Sequence, residues 1–282
     1  MKKALFIFGL LSAYLALLAP FTAYLRNKPF DEKLGYVPHA DVLKPLSADQ
    51  KQFVAAWFVL KTASYYGGLV QQAQSRIYEP PEYFGMYKTI ETALHLDPYN
   101  MDGYYFAQAI LAWDMKRIHE ANALLEHGMK YRDWDFYLPY FAGFNYAYFL
   151  KDYAKAAKYY QRVGELTGDA LAMRLAGRYM YEAGRTDLAI AYLAAMEKGA
   201  QNESIKKTFQ IRLKALREVR RIEMAQEQYR HVVKRGPKTV DELLQGGYLQ
   251  EPPVDPYGGK FYIDKDGVIR STSKFAFGVH SE

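Results

Sequence analysis

The stretch from Leu175 to Leu193 constrains this chain more than any other. Apolar residues at helical spacing run up to Ala183-Gly184-Arg185 and resume directly after it. So short a break joins only an antiparallel helix pair. Gly177 carries no side chain where one helix must press against its neighbour, and Ala189 is small for the same reason. Leu193 then fills the space between neighbouring pairs.

Weaker copies precede it. The segment from Glu82 closes on Ile90, Ala93 and Leu96-Asp97-Pro98. A second unit starts near Met101, with a large aromatic at Tyr104 and small-large-small positions at Ala121, Leu125 and Gly128. A third starts near Tyr137 and keeps step through Tyr140, Leu150, Tyr153, Ala156, Tyr160 and Val163. The fourth, from about Ala170, is the opening stretch. In register over residues 47–202, these units resemble the tetratricopeptide repeat, a helix-turn-helix unit of about 34 residues. The resemblance implies a mainly α fold, a right-handed solenoid of helical pairs. Departures are local: an extra residue in the second turn, Asp133 in place of the closing Pro, and Gly143-Phe144 in inverted order. The first unit departs most. Its long first helix is expected to start at Ser47 as N-cap, to carry Phe53, Trp57, Leu60, Ser64 and Leu69 near helical spacing, and to end at Pro80-Pro81.

Before the repeats, Ala4 to Leu25 is 22 residues without a charged side chain, bounded by Lys2-Lys3 and by Arg26 and Lys28. As a helix it would be about 33 Å long, enough to cross the hydrocarbon core. A cleaved signal peptide is the competing reading, but Phe21-Thr22-Ala23 sets a ring where a small residue belongs, and Leu17-Leu18-Ala19 is followed by Pro20. Residues 1–25 are therefore expected to be an uncleaved transmembrane signal-anchor. Flanking charge barely sets its orientation. Because so short an N-terminal tail usually stays inside, the bulk of the chain is expected outside, in the periplasm of a bacterium, held at the inner membrane. Residues 26–46, with Pro29, Gly35, Pro38 and Pro45, read as an extended linker.

After the repeats, residues 203–235 form one long amphipathic helix with Ile205, Phe209, Leu213, Leu216, Val219, Ile222, Tyr229 and Val233 on its apolar face. Its ten Lys/Arg against four Asp/Glu equal the chain's whole net charge of +6. That basic face suits solvent, anionic lipid headgroups or an acidic partner. Residues 236–282 read as an appendage. Gly236-Pro237 breaks the helix, Thr239 and Glu242 cap a short one, and a turn at Asp255-Pro256-Tyr257-Gly258-Gly259 leads into a hairpin around Asp264 to Gly267. This block resembles the C-terminal region of the major pseudopilin of type II secretion systems, although the chain lacks a pilin-type N-terminus. The tail reads either as an end cap, burying Leu243, Leu244, Leu249, Phe261 and Ile263, or as a docking module.

Chemistry is scarce. With no Cys, a disulfide frame, thiolate zinc sites and a Cys nucleophile are excluded. The six His show no metal spacing, and Asp264 and Asp266 belong to a hairpin turn rather than a calcium loop. No nucleophile elbow, phosphate loop or dinucleotide fingerprint is present. Catalytic, cofactor and metal residues are not assigned, and no enzymatic activity is expected. Nucleic acid is not an expected partner across a membrane. What the repeat resemblance implies is a groove lined by Tyr105, Phe141, Asn145, Tyr148, Arg174, Arg178 and Tyr181. Arg174 and Arg178 lie one helical turn apart and suit a carboxylate; Tyr gives contact area at little entropy cost. The expected function is a scaffold binding protein partners, carboxylate-bearing or acidic segments among them, in a secretion or pilus-like assembly. The alternatives are a general envelope adaptor and an accessory subunit of an envelope enzyme.

Overall fold

The computed structural model describes residues 2–27, 34–74 and 81–275. They are mainly α-helical, with one two-stranded antiparallel sheet. The chain divides into two compact units, Met1–Asp97 and Pro98–Glu282.

In the first unit, α1 (Lys2–Asn27) carries the uncharged run, with Pro20 inside it. Its described apolar side chains, Ile7, Leu10, Leu15, Leu17 and Phe21 among them, are exposed. Among the described residues no helix is long and apolar enough to cross a membrane. Several side chains of the expected anchor, including Leu5, Phe6, Phe8 and Ala19, lie outside the described residues. The expected extended linker is corrected in part: α2 (Ala40–Ser47) is helical within it, and Leu34 and Ala40 are buried. Ser47 makes no side-chain cap; a 3-10 turn, Ala48–Gln50, leads straight into α3 (Lys51–Gln74). That helix packs on α4 (Tyr83–Leu96) through Ala55, Val59, Thr62 and Leu69, against Met86, Ile90, Ala93 and Leu94. Phe53, Trp57 and Leu60 face outward. Lys51 and Lys61 are the helix's only charged residues, so its sequence did not mark which face would be covered. Pro80, expected to end the helix, lies outside the described residues.

In the second unit, α5 (Met101–Ala107) continues into a π-helical stretch, Gln108–Asp114. Met115 N donates to Ile110 O at 2.9 Å, five residues back, the reach of a π-helical turn. Then come α6 (Ile118–Met129), α7 (Tyr137–Tyr148), α8 (Tyr153–Thr167), α9 (Ala170–Glu182), α10 (Thr186–Gly199) and α11 (Glu203–Val233), each packed on the next from α6 through α10 onto α11. Side chains at Asn100, Asp152, Asp169 and Asn202 cap four of these helices, accepting from backbone N–H groups. Close approaches fix the packing. A Cβ at Gly128 would lie 2.6 Å from the Tyr104 ring, and one at Gly177 would lie 2.8 Å from Leu193. Neither contact tolerates a methyl group without displacement.

Three of the described turns repeat one device. Lys116 (φ 55), Lys151 (φ 54) and Gly184 (φ 72) are all left-handed, and each precedes the residue that opens the next helix. Beyond α11 the tail folds back. Short α12 (Val240–Gln245) and the hairpin of β1 (Phe261–Ile263) and β2 (Ile269–Ser271) pair Phe261 with Ser271 and Ile263 with Ile269. Leu243, Leu249, Phe261, Ile269 and Phe275 are buried in the same cluster as Ala176, Leu193, Phe209, Leu216 and Ile222, with Leu244 and Ile263 partly buried against it. Helices α8 to α10, the long helix and the tail therefore share one apolar core.

Candidate binding surface

Three aromatic residues stand three positions before the left-handed turns: Trp113, Tyr148 and Tyr181. The first two remain open. Trp113 is 45 % and Tyr148 55 % exposed. Phe144 stacks on Tyr148 at 5.3 Å, Trp113 lies 5.5 Å from Phe144 and 5.1 Å from Phe149, and these rings form one continuous apolar platform. Two ammonium groups rest on it: Lys116 Nζ sits 5.5 Å from the centroid of Phe149, and Lys151 Nζ sits 5.4 Å from that of Tyr148. Further along the same helices Tyr105 meets Tyr137 at 5.8 Å and Phe141 at 5.6 Å. Burial, joined by the fields of Tyr137 and Asp135, pushes the Tyr105 pKa up, so its hydroxyl stays protonated at neutral pH.

Of the expected groove residues, Tyr105, Phe141 and Tyr148 thus lie on this surface. Asn145 does not, and the expectation is corrected. It is buried, its Nδ2 donating to Gln108 Oε1 (2.8 Å) and Asn122 Oδ1 (2.8 Å) while its Oδ1 accepts from Gln108 Nε2 (2.9 Å). A buried amide needs such partners, and here it ties the π-helical stretch to α6 and α7. Tyr181 is corrected too. It is 4 % exposed, its hydroxyl donates to the Ile269 carbonyl, and its ring meets Phe275 at 5.6 Å. The tail covers the place that a partner was expected to take.

Arg174 is half-buried and Arg178 exposed, with the Arg178 guanidinium 6.0 Å from the Tyr179 ring. Beside them lies Arg212 of α11, buried, donating to the Phe275 carbonyl at 2.7 Å and resting 5.2 Å from the Tyr257 ring. Burial pushes the Arg212 pKa down; Tyr257 and Asp255 oppose this, and the positive charges of Arg178 and Arg174 reinforce it. The arginine pair therefore borders the tail-covered end rather than the open platform.

Much of the positive charge of α11 has a job inside the molecule. Arg220 reaches Asp187 (2.9 Å) and Glu227 (3.2 Å), Arg221 reaches Glu218 (2.6 Å) and the Glu251 carbonyl (3.0 Å), and just past the end of α11 Arg235 pairs with Glu242. Together with Arg212, these hold the tail and α10 to the long helix. Asp264 Oδ1 accepts from Asp266 N and Val268 N, closing its hairpin turn. Among the described residues no group of three or more His, Asp or Glu is placed to hold a metal ion.

Sequence reasoning missed Trp113, Phe144, Phe149, Lys116 and Lys151. A signal was present. Trp113-Asp-Met-Lys116 and Tyr148-Phe-Leu-Lys151 set an aromatic and a lysine at the same spacing, at the same turn of successive helical pairs. No family model matches this sequence, and no curated protein is similar enough to count as a relative.

Proposed function

We propose that the chain is a membrane-anchored scaffold of tetratricopeptide-like helical pairs, held by residues 4–25, whose α5–α7 surface binds an extended segment of a protein partner. The bulk of the chain then lies on the periplasmic side of a bacterial inner membrane. One observation carries the binding reading. At the third equivalent turn, Tyr181 is already covered by the tail of the same chain: β2 offers it the Ile269 carbonyl, and the turn beyond β2 offers the Phe275 ring. The two preceding aromatics, Trp113 and Tyr148, present the same kind of surface and are exposed. A partner segment that lies there as the tail lies on Tyr181 supplies a main-chain carbonyl from an extended stretch and an aromatic side chain from the turn after it. Lys116 and Lys151 favour acidic residues beside that aromatic.

The burial of the tail in the common core favours its reading as an end cap. A part in a secretion or pilus-like assembly then rests on the pseudopilin resemblance alone, and a general envelope adaptor accounts for the same surface.

The test uses the full chain in detergent and a synthetic extended peptide carrying aromatic and Asp/Glu residues, with a photo-crosslinking side chain at position 148 and, as control, at 262. Adducts at 148, and affinity about tenfold weaker for Trp113→Ala or Lys151→Glu, are expected. Equal affinity in both variants, or adducts only at 262, would return the binding role to the tail.

A further inference from the structure

The outward face of α3 carries a pattern that the groove does not use. Phe53 (69 % exposed), Trp57 (54 %) and Leu60 (57 %) stand at helical spacing, and exposed Ala56, Ser64, Gly67 and Val70 extend the stripe. No ionic side chain interrupts it. Lys51 precedes the stripe, and Lys61 is turned aside to donate to the Leu34 carbonyl at 2.7 Å. An uncovered apolar stripe of this length on a soluble surface marks an interaction site.

Its sizes are ordered: large residues on the N-terminal side of Leu60, small ones at Ser64 and Gly67 beyond it. A second copy turned antiparallel about Leu60 brings Phe53 opposite Gly67, Trp57 to the level of Ala63 beside Ser64, and Leu60 opposite itself. A two-fold interface requires this reciprocity, since each patch must complement itself. Nothing lies within 4 Å of where a Cβ at Gly67 would be, which leaves a seat for the opposing ring. With no charge at the axis, no like charges meet there.

We infer that α3 is the seam of a homodimer, packed antiparallel on α3 of a second copy, with Phe53 and Trp57 of each seated over Gly67 and Ser64 of the other. A lipid surface fits less well. Helices that lie in the interface flank a broad apolar face with several Lys or Arg; this stripe has one exposed lysine at its end, and Ser64 and Gly67 give lipid little area. Small residues serve close helix approach instead. The stripe is about 26 Å long, so the contact sits at the low end of stable interfaces and the dimer is concentration-dependent.

Because the chain has no native Cys, single cysteines report the seam directly. In the full chain, reconstituted in nanodiscs or detergent, Leu60→Cys is expected to form an intermolecular disulfide under mild oxidation, and Gln52→Cys about tenfold less, since position 52 lies far from its own copy across the axis. Gly67→Leu fills space that is open in the single chain, so it is expected to leave the circular dichroism melt intact while shifting sedimentation from dimer to monomer. A monomer at all concentrations, or equal crosslinking at positions 52 and 60, would overturn the inference. So would quenching of Trp57 by brominated lipid without a Leu60→Cys crosslink, which would seat the face on the membrane.

Discussion

Tyr148 and Tyr181 occupy the same place, three residues before a left-handed turn, yet one stands open and the other is buried beneath β2. An aromatic ring stands at that place before each of three described turns, at Trp113, Tyr148 and Tyr181. Whether the ring becomes core or surface is decided elsewhere, by a tail that reaches the third turn and stops there. At the covered end polar groups are answered: Tyr181 by the Ile269 carbonyl, Glu182 by Arg270, Gln226 by the Gly267 carbonyl at 2.9 Å. At the open end, rings are answered by other rings and by two lysines. Closure and recognition are thus alternative uses of one structural position.

The largest effect comes from removing the cover. A chain ending after Arg235 loses Leu243, Leu249, Phe261, Ile269 and Phe275, each stabilising by about 1.5–3 kcal/mol when fully buried. That sum rivals the whole stability of a typical domain, about 5–15 kcal/mol. Loss of the cooperative thermal transition, or aggregation, is expected in a circular dichroism melt. An unchanged melting temperature would make the tail a separate module and dissolve the comparison.

A finer cut separates the two tyrosines. Tyr181→Phe leaves the buried Ile269 carbonyl without its donor and is expected to cost about 1–2 kcal/mol in urea unfolding. Tyr148→Phe, at an exposed ring, is expected to stay within about 0.5 kcal/mol. Equal losses would mean that the open platform is also structural.

The smallest effect is electrostatic. Hydrogen bonds from Arg235, Tyr229 and the Lys238 backbone hold the Glu242 carboxyl pKa down to about 2, against an ordinary 4.5. A carboxyl depressed in the folded state stabilises it fully above the unfolded value and stops doing so as pH falls through the folded one. The melting temperature of the whole chain should therefore drop between about pH 4.5 and 2, with a shallower slope in Glu242→Gln. The contribution is small because the pair is exposed to solvent.

These contrasts also mark where sequence was sufficient. The repeat resemblance marked Gly177 and Gly128 as small and Tyr104 as large, but it set Leu193 between neighbouring pairs, whereas Leu193 packs on Gly177 within its own pair. The sequence reading set an extra residue in the second turn and gave no sign of the π-helical stretch at Gln108–Asp114. Three features were not legible. Asn145 is buried because its partner Gln108 lies 37 residues away, and nothing in the spacing links two amides so far apart. Tyr181 is covered by a residue 88 positions later. The covered face of α3 was hidden by the helix's own composition, apolar all round, which offers two faces and names neither.

Lys116 and Lys151 adopt the left-handed backbone that Gly184 takes freely. For a residue with a Cβ that conformation costs about 1–2 kcal/mol, so glycine at both turns would make a sturdier protein. It would also strip the ammonium groups from Phe149 and Tyr148. The chain has the relaxed residue where its own strand closes the turn and the strained one where the turn is open. Stability optimisation and ligand selection therefore pull these two positions in opposite directions: a variant chosen only for heat resistance is expected to drift towards glycine there and to lose its preference among partners.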